Sequence, residues 1–461
     1  MIRLFKHYIP HSVVLLWLVD IVLLISANEI SWRVRAGQIG MDAGDIGDRL
    51  LPHGAFAAVL VLSMISVGVY GTDALRSMRF AAARLLVAIS LGVIALSFVD
   101  FLAAGQHFWR STLAYSMGIA IALLILNRLL LSGILGTSAF RRRVLVLGAG
   151  ARAQRLRELG ERPESGFVIV GYIAMSEAHP VVEEAIARGA IHNLTRYVEN
   201  LGVSEVVLAL EERRNALPLK DLLRIKTAGV HVNEFSSFLE RETGRVDLDT
   251  VNPSWLIFSD GFSSGRMISS AAKRVFDIAA SALLLALTAP VIVLFAIVVK
   301  IDSKGPAFYR QSRVGLFGQS FNVIKLRSMR TDAEAAGAQW ASRDDPRVTR
   351  VGKFIRLTRI DELPQAWTVL KGEMSFVGPR PERPEFVADL EDQLPFYAER
   401  HMVKPGITGW AQINYPYGAS IEDSRNKLEY DLYYAKNYTP FLDLLIILQT
   451  LRVVLWHEGA R

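Results

Sequence analysis

Residues 273–304 read KRVFDIAASALLLALTAPVIVLFAIVVKIDSK. From Ile278 to Val299 the stretch is uncharged, and a helix needs roughly 17 to 25 apolar residues to cross a bilayer. Its flanks conflict with a simple crossing. Lys273 and Arg274 stand at one end, Lys300 and Lys304 at the other, and basic residues favour the cytoplasmic side. From Lys304 to Arg330 there are six basic residues and no acidic one. Pro290 lies near the middle, where it removes a backbone hydrogen bond and kinks the helix. These features predict a re-entrant helix over 274–301 that dips into the inner leaflet and returns. The alternative is an ordinary span whose proline is tolerated by neighbouring packing.

The rest of the chain supports a membrane setting. Of 461 residues, 51% are apolar, and the mean hydropathy is positive, so membrane segments come before a purely soluble fold. Four further stretches qualify as spans: Ser12–Asn28, His53–Tyr70, Phe80–Ala103 and Phe108–Leu131. The first follows Arg3 and Lys6, contains Asp20 and lacks a small-residue cleavage pattern, so it reads as a signal anchor. Arg76, Arg79 and Arg84 crowd the second connection, and Arg141-Arg142-Arg143 follow the last span. Both ends of this bundle, residues 1–140, are therefore expected on the cytoplasmic side. Asp20 and Asp100 mark either a polar pathway or helix–helix hydrogen bonds. Cysteine is absent, which excludes disulfides, thiolate metal sites and a cysteine nucleophile. The net charge of +7 suits anionic lipid or phosphorylated substrates. No basic helix or aromatic-rich motif points to nucleic acid.

After Arg143 the pattern turns soluble. Candidate strands Val144–Leu147, Phe167–Ala174, Glu205–Leu210 and Val230–Phe235 alternate with helical stretches. That alternation predicts a cytosolic Rossmann-like α/β domain over 141–250, then a linker over 251–272. Gly148-x-Gly150-x-x-Ala153 fits a dinucleotide fingerprint, but no acidic residue ends the second strand. A structural or regulatory domain is the expectation.

From Lys273 onward the motifs become dense, and an α/β catalytic module is expected over 273–461. They include Lys273-Arg274-Val-Phe276-Asp277, Arg310-Gln311-x-Arg313, Lys325-Leu-Arg327-Ser-Met329 and Arg356-x-x-x-x-Asp361-Glu362-Leu-Pro364-Gln365. Gly372-Glu373-Met374-Ser375-Phe376-Val377-Gly378-Pro379-Arg380-Pro381 and Lys404-Pro405-Gly406-Ile407-Thr408-Gly409-Trp410 complete the series. A carboxylate can act as a covalent nucleophile through an acyl phosphate, and adjacent carboxylates attract Mg²⁺. Asp361 and Glu362 are therefore candidates for catalysis and for metal binding. Arg356 and Arg380 are candidates for phosphate or nucleotide contacts, the latter with a salt bridge as its alternative. Lys325 and Arg327 either face phosphates or meet acidic neighbours. Gly406 and Gly409 suggest a tight loop, with Trp410 packing rather than stacking on a base. The apolar stretch Thr439–Trp456 is suited to the membrane interface or to the core.

This series resembles the bacterial sugar transferase family, the polyprenyl-phosphate hexose-1-phosphate transferases (undecaprenyl-phosphate glycosylphosphotransferases) that start exopolysaccharide and O-antigen repeat units. The resemblance covers about 270–461 through several motifs, and the four spans with a Rossmann-like domain resemble the large members in architecture. The family often places Ser-Pro at the helix kink, where this chain has Ala289-Pro290. The resemblance implies a multi-pass protein of the bacterial inner membrane with its module on the cytoplasmic face. It implies transfer of a hexose phosphate, glucose or galactose phosphate by expectation, from a UDP-sugar to undecaprenyl phosphate. Asp361 would attack the β-phosphorus and release UMP, and Glu362 would hold Mg²⁺. A homodimer through the bundle is compatible with this.

Other functions compete. A nucleotide-sugar oxidoreductase or epimerase should carry Tyr-x-x-x-Lys, and no tyrosine here has a lysine four residues on. A metal-dependent glycosyltransferase could use Asp247-Leu-Asp249, a motif that arises often by chance. A membrane scaffold for polysaccharide assembly is the third alternative.

Overall fold

The computed structural model describes residues 2–4, 7–9, 11–70, 78–102, 110–134, 141–162, 165–175, 181–211, 217–251, 267–333, 345–416, 418 and 420–456. Apart from short N-terminal pieces, the chain divides into two compact units, one reaching Asp247 and one running from Leu248 onward.

The first unit opens with helices α1 (His11–Gln38), α2 (Leu50–Val67), α3 (Met78–Leu102) and α4 (Arg110–Ile134). Leu24, Phe56, Leu60, Met64, Leu85, Ile89 and Leu124 form their shared core. Val14–Gln38, Gly47–Val67 and Ser111–Leu130 are long and apolar enough to cross a membrane, whereas α3 offers the shorter stretch Ala81–Ser97 among the described residues. Helix α1 runs ten residues past its expected end because its polar extension is paired. Glu29 takes Arg33 at 2.6 Å, Arg49 at 3.1 Å and His53 at 2.8 Å. Helix α2 stops three residues early at Gly68, whose φ of 75° ends it in a left-handed cap. Fully buried Asp20 accepts from Arg128 at 2.7 Å, Asn127 at 3.0 Å and Tyr70 at 3.0 Å. It thus makes helix–helix bonds that compensate a costly intramembrane charge. The side chain of Asp100 lies outside the described residues.

The α/β part follows as β1 (Arg142–Leu147), α5 (Ala151–Glu161), β2 (Phe167–Ala174), β3 (Ile186–Ala187) and α6 (Leu194–Asn200). It ends with β4 (Glu205–Leu208), α7 (Leu219–Thr227), β5 (His231–Glu234) and α8 (Phe235–Thr243). The sheet is parallel throughout, in the order β3-β2-β1-β4-β5. Central β1 is buried on both sides: Val144 and Val146 enter one core, Leu145 and Leu147 the other. That is why its sequence is a continuous apolar run rather than an alternating one. Strand β3 had no signal in the sequence, being two exposed residues on the edge.

The second unit is built on α9 (Met267–Asp302), which is helical through Pro290. Its first turns include residues 267–272 of the expected linker; residues 252–266 lie outside the described set. Then come the hairpin β6 (Phe308–Val314) and β7 (Ser320–Leu326), α10 (Arg350–Leu357), a 3₁₀ turn (Ile360–Glu362), α11 (Gln365–Lys371) and β8 (Ser375–Val377). Helix α12 (Pro384–Gln393) leads to β9 (Gly406–Thr408), which pairs parallel with β8. Helices α13 (Trp410–Asn414), α14 (Ile421–Asn437) and α15 (Pro440–Trp456) finish the chain.

Both ends of α9 are fixed within this unit. Near its start, Lys273 Nζ donates to Asp443 at 2.6 Å and to the Val377 carbonyl at 2.9 Å. Arg274 caps the carbonyls of Val369 and Leu370, and Asp277 accepts from Ser375 and the Phe376 amide. Near its end, Val299 packs on Leu326 and Ile355. Between these anchors only 6% of the most apolar window is buried, so the helix presents to its surroundings a surface that water disfavours. Helix α15 is part of the core on one side, through Leu442, Ile446 and Asp443, while Leu444 is 45% exposed on the other.

Candidate active site

Three segments bring the site together. Strand β7 pairs with β6 in a register that sets Lys325 opposite Tyr309. Val323, on the same strand face as Lys325, packs with Val369 and Met374 and so seats the strand against α11. Helix α10 ends at Thr358, and Arg359 then takes a left-handed conformation with φ 58°. For a residue with a Cβ this costs on the order of 1–3 kcal/mol. The strain turns the chain sharply, so that the 3₁₀ turn carries Asp361 inward and Pro364 opens α11. The third segment is Gly378-Pro379-Arg380-Pro381. The Gly378 amide donates to the Thr408 carbonyl and the Gly406 amide to the Pro379 carbonyl, both at 2.9 Å. A Cβ on Gly378 would lie 2.1 Å from the Lys404 carbonyl oxygen, and one on Gly409 would lie 2.2 Å from that of Gly378. The glycines in these motifs are therefore required by backbone crossing.

The charges converge on Glu362. Lys325 Nζ is 3.3 Å from Oε1, Arg380 is 3.6 Å from the same oxygen, and Arg359 is 3.7 Å from Oε2. Burial alone would raise the Glu362 pKa, but Lys325, Arg380 and Arg359 outweigh it and hold the carboxyl at about 2. Burial pushes the Lys325 ammonium pKa down against the pull of Glu362. Asp361 behaves oppositely. Burial, reinforced by the adjacent Glu362 charge, raises it to about 6 despite Lys325, Arg356 and Arg359. Its Oδ1 is buried without a hydrogen-bond partner. Two neighbouring carboxylates thus have sharply different proton affinities, one permanently charged and one poised near neutrality.

The expected site residues do not all gather. Asp361, Glu362, Lys325 and Arg380 do, with Lys325 and Arg380 both meeting an acidic neighbour. Arg356 acts on Asp361 through its charge. Arg327 is elsewhere: its guanidinium donates to the carbonyls of Ser303 at 2.7 Å and Lys304 at 2.9 Å. It ties down the turn that follows the C-terminal end of α9. Trp410 is buried and stacks on Tyr433 with centroids 5.8 Å apart. Arg359 was not among the expected residues, although its spacing three before Glu362 is that of a helical ion pair. Asp247 is held by both terminal nitrogens of Arg155 at 2.9 Å, and Asp249 pairs with Arg425, so neither is a free metal-binding carboxylate.

For Mg²⁺ the donor chemistry at the site fits. This ion takes one or two carboxylates and completes its octahedron with phosphate oxygens and water, and Asp361 Oδ1 is an unpartnered oxygen. No group of three or more possible protein ligands occurs among the described residues.

The profile of the family described as bacterial sugar transferase matches residues 268–457. A UDP-glucose:undecaprenyl-phosphate glucose-1-phosphate transferase of Caulobacter vibrioides is 41% identical over 190 residues, covering 41% of this chain and 71% of that protein. The chain belongs to the bacterial sugar transferase family. A UDP-N-acetylgalactosamine-undecaprenyl-phosphate N-acetylgalactosaminephosphotransferase of Aeromonas hydrophila is 43% identical over 240 residues, 52% of this chain and 56% of that protein. An undecaprenyl-phosphate glucose phosphotransferase of Komagataeibacter xylinus is 45% identical over 194 residues, 41% of this chain and 36% of its own length.

Residues 66–227 match a second family, described as a CoA-binding domain. Here the residues do not fit the diphosphate of such a ligand at the Gly148–Ala153 turn. The Ala151 amide at the start of α5 donates to Glu211 Oε1 at 2.8 Å, so a carboxylate stands where a helix N-terminus would receive a phosphate. A Cβ on Gly150 would lie 2.5 Å from the same oxygen.

Proposed function

We propose that this sugar transferase moves a hexose-1-phosphate from a UDP-sugar to undecaprenyl phosphate, releasing UMP through an aspartyl phosphate on Asp361. The observation that carries this reading is the buried, unpartnered Oδ1 of Asp361 beside a cluster of cations. Oδ1 attacks the β-phosphorus. The new P–O bond forms as the bond from that phosphorus to the bridging oxygen breaks, and UMP leaves with the bridging oxygen. A phosphate oxygen of the polyprenyl acceptor then attacks the same phosphorus, and the Asp361 carboxylate is regenerated. Lys325, Arg380 and Arg359 hold Glu362 ionised and supply positive charge to the transferring group. When bound, Mg²⁺ would neutralise further phosphate charge, with Glu362 and the Asp361 oxygen that does not attack as its protein ligands. The hexose class follows the family; the names of the relatives above divide between glucose and N-acetylgalactosamine.

The membrane reading is part of the proposal: an inner-membrane protein whose module faces the cytoplasm, with α9 re-entrant. Its support is that Lys273, Arg274 and Asp277 at one end of the apolar stretch, and Val299 at the other, are held by the same folded module. A crossing helix would put about 30 Å of hydrocarbon between those anchors. Thr288, two residues before Pro290, bonds the Leu284 carbonyl at 2.7 Å, a back-bond that often bends helices.

The test is to incubate detergent-purified protein with UDP-glucose or UDP-N-acetylgalactosamine, Mg²⁺ and undecaprenyl phosphate. Acceptor-dependent UMP is expected from wild type and none from Asp361→Asn. Release of UDP instead, or full activity in the variant, refutes the mechanism.

A further inference from the structure

Arg380 reaches Glu362 from a segment flanked by two prolines, so its aim depends on how that segment is held. Two guanidinium groups hold it from behind. Arg400 donates to the Arg380 carbonyl at 2.9 Å, and Arg313 donates to the Pro381 carbonyl at 3.0 Å. Arg400 is the better anchored of the two. It is buried, at 5% exposure, and its Nε and Nη2 both bond Asp431 on α14, at 3.1 and 2.7 Å. Its remaining terminal nitrogen donates to the Tyr397 hydroxyl at 2.8 Å. Asp431 is itself 2% exposed, so the pair is fixed inside the fold. The planar fork thus joins α14 to the backbone of a residue that supplies one of the site's cations. A lysine has neither the plane nor the number of donors to make all these bonds.

We propose that Arg400, braced by Asp431, is a positioning residue that aims Arg380 at the diphosphate of the donor. It touches no substrate and works only through Arg380. The proposal rests on the transfer reaction above, and its test is arranged so that the two stand or fall separately.

Wild type, Arg400→Lys, Arg380→Ala and the double variant are compared in full-length detergent-purified protein, by kcat/KM for UMP release and by UDP affinity in the presence of Mg²⁺. Displacement of a positioned group costs on the order of 10–100-fold in rate. Arg400→Lys alone should lose that much in kcat/KM and weaken UDP binding about fivefold or more. In the Arg380→Ala background it should change neither by more than about twofold, because nothing remains to be aimed. Thermal stability should fall equally in both backgrounds. Equal losses of activity and UDP affinity in the two backgrounds would overturn the proposal, since Arg400 would then serve the fold at large. If Arg400→Lys does not fold, Asp431→Asn, which keeps a hydrogen-bonding group at that position, replaces it in the same cycle. If wild type releases no UMP, the reaction is wrong, and the UDP cycle alone decides the role of Arg400.

Discussion

Asp361→Asn should abolish transfer and at the same time stabilise the protein. The folded state raises the Asp361 pKa from 3.8 to about 6, chiefly by burial. Each unit corresponds to 1.36 kcal/mol, so ionised Asp361 destabilises the fold by about 3 kcal/mol at neutral pH. The sign follows from proton counts. Between about pH 4 and 6 the unfolded chain releases a proton that the folded chain keeps, so stability falls as pH rises through that window. Asparagine carries no proton to lose. The variant should therefore match wild type below pH 4 and exceed it above pH 6, by up to roughly 6–12 °C in melting temperature at 2–4 °C per kcal/mol. Thermal unfolding of both proteins at pH 4 and pH 7.5 measures this, and a pH–rate profile for wild type accompanies it. The nucleophile must be ionised, so kcat/KM should drop tenfold per unit below about pH 6. A stability gap independent of pH, or a variant less stable than wild type at pH 7.5, would refute the argument that a poised and costly carboxylate has been built here.

Lys325→Met should lower kcat/KM by about 10- to 100-fold, the worth of a charge-assisted bond in a buried site, and should raise the Asp361 pKa by removing its strongest compensating charge. An unshifted acid limb in the pH–rate profile would count against that electrostatic role. Gly378→Ala should cost about 3 kcal/mol or more and yield little folded protein, because its Cβ meets the Lys404 backbone rather than a side chain that can move; a normal melting temperature would show that the crossing is looser than described. CoA and NAD⁺ at millimolar concentration should leave the melting temperature of wild type unchanged, given Glu211 at the start of α5. A rise of several degrees would show that this carboxylate yields to a phosphate.

What the sequence made legible, and what it did not, divides along one physical line. The apolar helices and the strands were readable because each leaves an apolar run on neighbouring residues, packed in the core for β1 and left on the surface for α9. The pairing of Asp361 with Glu362 was readable because both sit in one short motif. Features made by contacts distant in the chain left no such trace. Arg327 belongs to a motif yet serves the end of α9, and a linear reading does not distinguish a guanidinium that meets carbonyls from one that meets phosphate. Glu211 reaches its helix from 60 residues away, and the Arg400–Asp431 pair spans 31. The left-handed turn at Arg359 has no glycine or asparagine to announce it.

Two adjacent carboxylates come to differ through what surrounds each of them. A regular helix would project successive side chains about 100° apart around its surface. The 3₁₀ turn that follows Arg359 separates them similarly, with Asp361 buried and Glu362 among Lys325, Arg359 and Arg380. Three cations against one carboxylate is more positive charge than Glu362 needs for its own compensation. The excess, with Arg356 acting on the same pocket of charge, suits a substrate that brings its own negative phosphates. The same cations favour the ionised form of Asp361 that attack requires. The strain at Arg359 and the burial of Asp361 both weaken the fold, and both are concentrated within three residues of the atom proposed to attack. The atom itself decides between the two: Asp361 Oδ1 is buried without a hydrogen-bond partner, whereas both oxygens of Glu362 already face cations.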